Sequence, residues 1–131
     1  MSKLQNRIIQ ATKQTEENYQ QALKELRELK TKINDLELVI VHNGYSKTSG
    51  DKQKLDSAIE KLIKFTDCMI SESERAWEEY KALEGDWRRS TSEPSDVTAQ
   101  MEALRELCNK ADEFATDLLC YSLAHFKQRD E

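Results

Sequence analysis

The stretch LDSAIEKLIKFTDCMISESERAWEEYKALEGDW, residues 55–87, decides the fold. Leu55, Ile59, Leu62, Thr66, Met69, Ser73, Ala76, Tyr80, Leu83 and Trp87 recur at alternating spacings of four and three. That period lines the ten side chains along one stripe of an α-helix, whereas a half-buried strand would alternate residue by residue. Thr66 and Ser73 are the polar members of the stripe. Ile63, Ile70 and Trp77 widen it on one flank, and Ala58 and Phe65 on the other. A stripe this wide is suited to a helix that touches two neighbours.

The same spacing continues outward in both directions. Upstream, Tyr19, Ala22, Leu26, Leu29, Ile33, Leu36 and Ile40 form one track. Its beginning is sparse, with Ile8, Thr12 and Thr15, so the start of the first helix is expected to fray or to need a partner. Downstream, Val97, Met101, Leu104, Cys108, Ala111, Ala115 and Leu118 form another, flanked by Leu107, Phe114, Leu119, Tyr121, Leu123 and Phe126.

Punctuation between the tracks sets the helix ends. Ser2 and Gln5 fit a capping box at the first N-terminus. Glu28 and Lys32 stand one turn apart as a favourable pair. Asn43-Gly44 fits a left-handed helix stop, and the polar segment 43–50 suits an antiparallel return. Asp51 is the expected cap of the second helix. Gly85 sits inside the period; because Trp87 keeps the phase, the helix is read as running through it to Arg89. Ser92 is the expected cap of the third helix, with Pro94 in its first turn. The expected fold is all-α: an elongated antiparallel three-helix bundle with coiled-coil-like packing. It forms one helical domain over residues 1–131, with helices at about 2–42, 51–89 and 93–127.

Composition narrows the functional classes. Gly and Pro number three and one, and charged residues make up 34%, a mix that with this period gives helices rather than disorder. A formal charge of −5 disfavours general binding to nucleic acid. The apolar cluster at 36–41 contains Glu37 and is too short to span a bilayer, and the first residues lack a signal-peptide core. Cys68, Cys108 and Cys120 are odd in number and fit no zinc spacing. They read as reduced thiols filling apolar space in a cytoplasmic or nuclear protein.

Neither catalytic nor cofactor or metal chemistry is legible. His42 falls in a helix-terminal turn, where a cation suits the dipole, and His125 falls near the chain end. There is no Gly-rich phosphate loop, and Cys120 and His125 do not stack on one helix face. The expected role is therefore a non-enzymatic interaction or scaffolding module acting through helix–helix packing. Its partner is a helical protein or a second copy of the chain, a homodimer being one arrangement a continuous heptad permits.

The partner-binding candidates are Leu119, Leu123 and Phe126, where the third helix carries more apolar surface than its stripe needs, together with Trp87 and Tyr45. Core is the default role of Trp77, Tyr80 and Trp87; Trp87, closest to a turn, is the one expected to reach the surface. Tyr45 and the serines and threonines of 90–95 are candidate phosphorylation positions. Lys47, Lys52, Lys54, Lys61 and Lys64 make the second helix locally basic at its start, a feature that suits an acidic partner or anionic lipid, although a solvated helix start is the ordinary explanation. Two alternatives stand beside the leading one: a membrane-associated dimeric helical module, disfavoured by the acidic total, and a small helical chaperone or assembly factor.

Overall fold

The computed structural model describes residues 2–43, 49–90 and 96–130. Within them the chain forms three helices, α1 (Lys3–Asn43), α2 (Ser49–Arg89) and α3 (Asp96–Asp130). Every pair of helices packs together, giving a three-helix bundle. At 41 residues, α1 and α2 each extend about 60 Å. Cross-helix bonds define the directions. Arg7 pairs with Asp86 and Asn18 bonds Glu72, so α2 runs antiparallel to α1. Gln5 bonds Asp96 near the start of both α1 and α3, and Glu37 lies beside His125 near their ends, so α3 runs parallel to α1.

Local chemistry explains the helix ends. The Gln5 amide donates to Ser2 Oγ at 3.0 Å, the expected cap. The Gln5 side chain, however, donates to Asp96 of α3 at 3.1 Å, tying the cap to a neighbouring helix. The second helix starts at Ser49, two residues before the expected cap; Asp51 lies in its first turn, where its charge faces the positive pole. The helix continues through Gly85, as the phase of Trp87 requires, and closes with the Ser90 amide donating to the Trp87 carbonyl. The third helix reaches Asp130 rather than ending near residue 127. The expectations for Gly44, Tyr45, Lys47, Ser92 and Pro94 lie outside the described residues.

The core divides into two apolar clusters. One gathers Leu4, Ile8, Ala11, Ala76, Tyr80, Leu83, Val97, Met101, Leu104 and Cys108, with Trp77 and Trp87 packed on it. The other gathers Ala22, Ile33, Ala58, Leu62, Phe65 and Leu118, with Leu26, Leu29, Leu36, Leu55, Met69, Phe114 and Tyr121 packed on it. Between them lie small and polar side chains, among them buried Thr15, Ser73 and Ala115. Polar groups there bond close by: Thr66 donates to the Leu62 carbonyl, Ser73 reaches Asp112, and Asn18 donates to Glu72 at 2.7 Å. The Arg75 guanidinium bonds Glu72 and Glu79 and holds the Glu72 carboxyl below the usual carboxylate range.

The beginning of α1 corrects the sequence expectation. It neither stands apart nor leaves its stripe open: Ile8 is fully buried, and Leu4 and Ala11 join it in the first cluster. The stripe looks weak because Thr12 and Thr15 are polar, yet Thr15 is buried and Thr12 bonds the Ile8 carbonyl.

Two stability measurements follow from this packing. Ile8→Ala should lose about 2–5 kcal/mol in a urea titration, as for a fully buried aliphatic. A loss under about 0.5 kcal/mol, the scale of a surface change, would mean that the first turns of α1 are frayed. At Gly85, an added Cβ meets nothing nearer than the Arg89 side chain at 3.7 Å. Gly85→Ala should therefore stabilise the fold by about 0.5–1 kcal/mol, whereas a glycine serving as a left-handed stop would give a loss.

Candidate docking surface

The last turns of α3 reverse the usual polarity of a bundle helix. Along most of α3 the buried line is apolar: Val97, Met101, Leu104, Cys108, Ala115 and Leu118. After Leu118 the buried positions are Ser122 and His125, while the apolar side chains turn outward. Leu119, Leu123 and Phe126 are 40%, 51% and 42% exposed. Their spacing sets them on one flank as a ridge about two turns long.

Neighbouring contacts establish which flank this is. Tyr121 sits under Lys30 and His125 sits beside Glu37, so both face α1, while Phe114 stands between Tyr19 of α1 and Phe65 of α2. Asp112 reaches Ser73 of α2. Leu119 and Phe126 follow Asp112 at seven-residue steps, which keeps them on the α2 side of α3. The Ser73–Asp112 and Ala76–Cys108 contacts set the antiparallel register, bringing the ridge level with the neighbourhood of Ile59 and Ile63. Ile70 precedes Ser73 by three residues and Ile63 precedes Ile70 by seven, a spacing that sets both half-buried side chains on the α3 side of α2.

The inward polar positions form their own cluster against α1. His125 is 8% exposed, and its Nδ1 lies 3.1 Å from Glu37 Oε1, within ion-pair reach when the imidazole is protonated but not aligned as a hydrogen bond. The His125 and Tyr121 rings meet edge to face at 4.5 Å, and Lys30 stands 4.9 Å above the Tyr121 ring. Burial and the nearby Glu37 carboxylate both push the Tyr121 hydroxyl above its ordinary range.

Leu119, Leu123 and Phe126 are thus brought together, as the sequence placed them. Trp87 is not part of this surface. It packs half-buried on the first core cluster, at the opposite end of the bundle, because the stripe of α2 carries it inward. Tyr45 lies outside the described residues. Leu38 and Val41, exposed at 67% and 75%, were missed. They sit near the end of α1, level with the end of α3. The signal for them was the run at 36–41, which is apolar around more of the helix than one stripe requires.

The cysteines divide by environment. Cys108 is buried, its thiol donating to the Ala76 carbonyl, and burial pushes it up to about 11. Cys68 and Cys120 are exposed, which corrects the expectation that the cysteines fill apolar space. His42 is also exposed. Among the described residues no group of three or more His, Cys, Asp or Glu could hold a metal ion, and no helix is long and apolar enough to cross a membrane.

A thiol-reactive maleimide should label Cys68 and Cys120 of the native protein within minutes and reach Cys108 only on unfolding. Equal labelling of all three, read by mass spectrometry, would show that the first core cluster is open.

Comparison with protein-family models, with curated proteins and with solved structures found no match to this chain.

Proposed function

We propose that this bundle is a non-enzymatic interaction module that receives an amphipathic helix of a partner protein along the seam between α2 and α3. Leu119, Leu123 and Phe126 are the anchors, and Ile63 and Ile70 form the opposite bank. The observation that carries this reading is the reversal in α3: at its end the polar side chains Ser122 and His125 are inside and the large apolar ones outside. Burial of Leu119, Leu123 and Phe126 in place of Ser122 and His125 would lower the free energy of an isolated bundle, each contributing about half of the ~1.5–3 kcal/mol that full burial of such a side chain is worth. A fourth helix laid on the ridge recovers that burial without disturbing the core. Anchors repeating every three or four residues match the spacing of a partner helix lying in a groove. Free thiols and an acidic surface suit a cytoplasmic or nuclear setting for such a module.

A photo-crosslinking residue at Leu123 should give one discrete adduct in cells, mapping to an apolar helical segment of another protein. The same residue at Glu102, on the exposed surface of α3, should not. Leu119→Asp with Phe126→Asp should abolish the adduct while the chain stays helical by circular dichroism, at a stability loss of about 1–3 kcal/mol because each side chain is already more than half buried. Global unfolding of that variant would make the ridge ordinary core. A diffuse adduct pattern identical at Leu123 and Glu102 would remove the reading.

A further inference from the structure

The seam on the other side of α2 carries a charge pattern that is complementary to itself. Two neighbouring depressions run along the α1/α2 surface, with volumes of about 500 Å³ and 710 Å³. Half-buried Leu29, Leu36 and Met69 lie along their floor. The α2 bank is basic, with Lys61 and Lys64 in the first depression and Lys54 in the second. The α1 bank carries Glu25 and Glu28 in the first and Asp35 in the second, with Lys32 between them. None of these seven charged groups is in an ion pair among the described residues. Elsewhere on the same seam the facing charges are already matched, as in Arg7 with Asp86.

We propose that this face pairs with a second copy of the chain about a two-fold axis running along the bundle. Such an axis lays α1 of one protomer over α2 of the other and preserves the level of every residue. A two-fold interface must be complementary to its own copy, and this one is at Glu25, Glu28 and Asp35, Lys32 being the one charge of the α1 bank that meets the basic bank with like sign. Acids and lysines that share a depression within one chain become partners between chains. Glu25 and Glu28 come to face Lys64 and Lys61 of the other copy, and Asp35 comes to face Lys54. The alternative two-fold axis, across the helices, would set α1 on α1 and acid against acid.

Size favours a weak, reversible dimer. The two depressions span α2 from Gly50 to Met69, a length of about 30 Å and a width of two helices. That is roughly 600 Å² per protomer and about 1,200 Å² in total, the lower edge of specific interfaces. This face is distinct from the α2/α3 seam, so the inference stands independently of the docking ridge.

The test is a charge swap followed by sedimentation equilibrium from about 1 to 200 µM, the range a weak dimer occupies. The unaltered chain should dimerise in that range, and more weakly as salt is raised. Lys61→Glu with Lys64→Glu in one chain should weaken self-association roughly tenfold or more, and so should Glu25→Lys with Glu28→Lys in another. An equimolar mixture of the two variants should dimerise again, because both contacts of the mixed pair are complementary. All four positions are exposed, and circular dichroism and melting of each variant confirm its fold. A monomer throughout the range, a dimer indifferent to either reversal, or failure of the mixture to associate would overturn the proposal. If instead Leu119→Asp with Phe126→Asp disrupts the dimer, self-association runs through the α3 ridge and the α1/α2 face is not the interface.

Discussion

The small and polar side chains at mid-length constrain the rest of the structure. Thr15 on α1, Ser73 on α2 and Ala115 on α3 are buried there, and Ala111 is half-buried. Small residues carry little apolar area, so burial there contributes less than at either end. Polar atoms in this region are bonded rather than stranded. Ser73 reaches Asp112 and Asn18 donates to Glu72, so this level also fixes the register between helices. Larger side chains then accumulate on each side of it, and this is why the core forms two clusters rather than one continuous column.

The two ends of the molecule are finished differently. At the end holding the start of α1, Leu4, Ile8, Val97 and Met101 point in, with Ile9 the exposed exception. Asp86 is bonded by Arg7 and by Arg89, Gln5 bonds Asp96, and Trp77 and Trp87 cover the cluster. At the other end, His125 and Ser122 occupy the inside of α3, while Leu38, Val41, Leu119, Leu123 and Phe126 meet solvent. Burying His125 and Ser122 costs free energy unless their polar atoms are matched, and exposed leucine and phenylalanine forgo what burial would return. Both departures are concentrated in the last turns of α3 and the end of α1.

Much of this was legible from spacing alone. The alternating period fixed the helical character of all three tracks, and the phase of Trp87 carried α2 through Gly85. The ridge of Leu119, Leu123 and Phe126 was found because α3 has more apolar residues near its end than one stripe can hold. What spacing could not supply is the environment of a polar position. The start of α1 looked weak because the stripe there holds only Ile8, Thr12 and Thr15, yet Ile8 and Thr15 are buried. Nor could spacing say which side of the last turns of α3 faces inward. Residues 118–126 are apolar around most of the helix, and the choice was settled by contacts with α1: Tyr19 on Phe114, Lys30 on Tyr121 and Glu37 beside His125. The lysines at the start of α2 were visible as a basic run, but their acidic counterparts lie some thirty residues earlier, and only the antiparallel return sets the two banks in register.

The three seams of the bundle therefore differ in chemistry. The α1/α3 seam is closed within the chain by aromatic contacts and by the Glu37–His125 approach. The α1/α2 seam carries unpaired charges over a modest apolar floor, a combination that favours orientation and reversibility over strength. The α2/α3 seam ends in an apolar ridge, which favours burial. In a two-fold pair joined through α1 and α2, α3 of each protomer lies away from the joint, and because the axis runs along the bundle both ridges sit at the same end. A partner carrying two helices on a linker that spans the pair would bind its second ridge as an intramolecular event. Its apparent affinity would then exceed that of either contact alone without any new contact being made. Weak self-association would thereby control strong partner binding through protein concentration, and the steepest response would fall near the dimer's own dissociation constant.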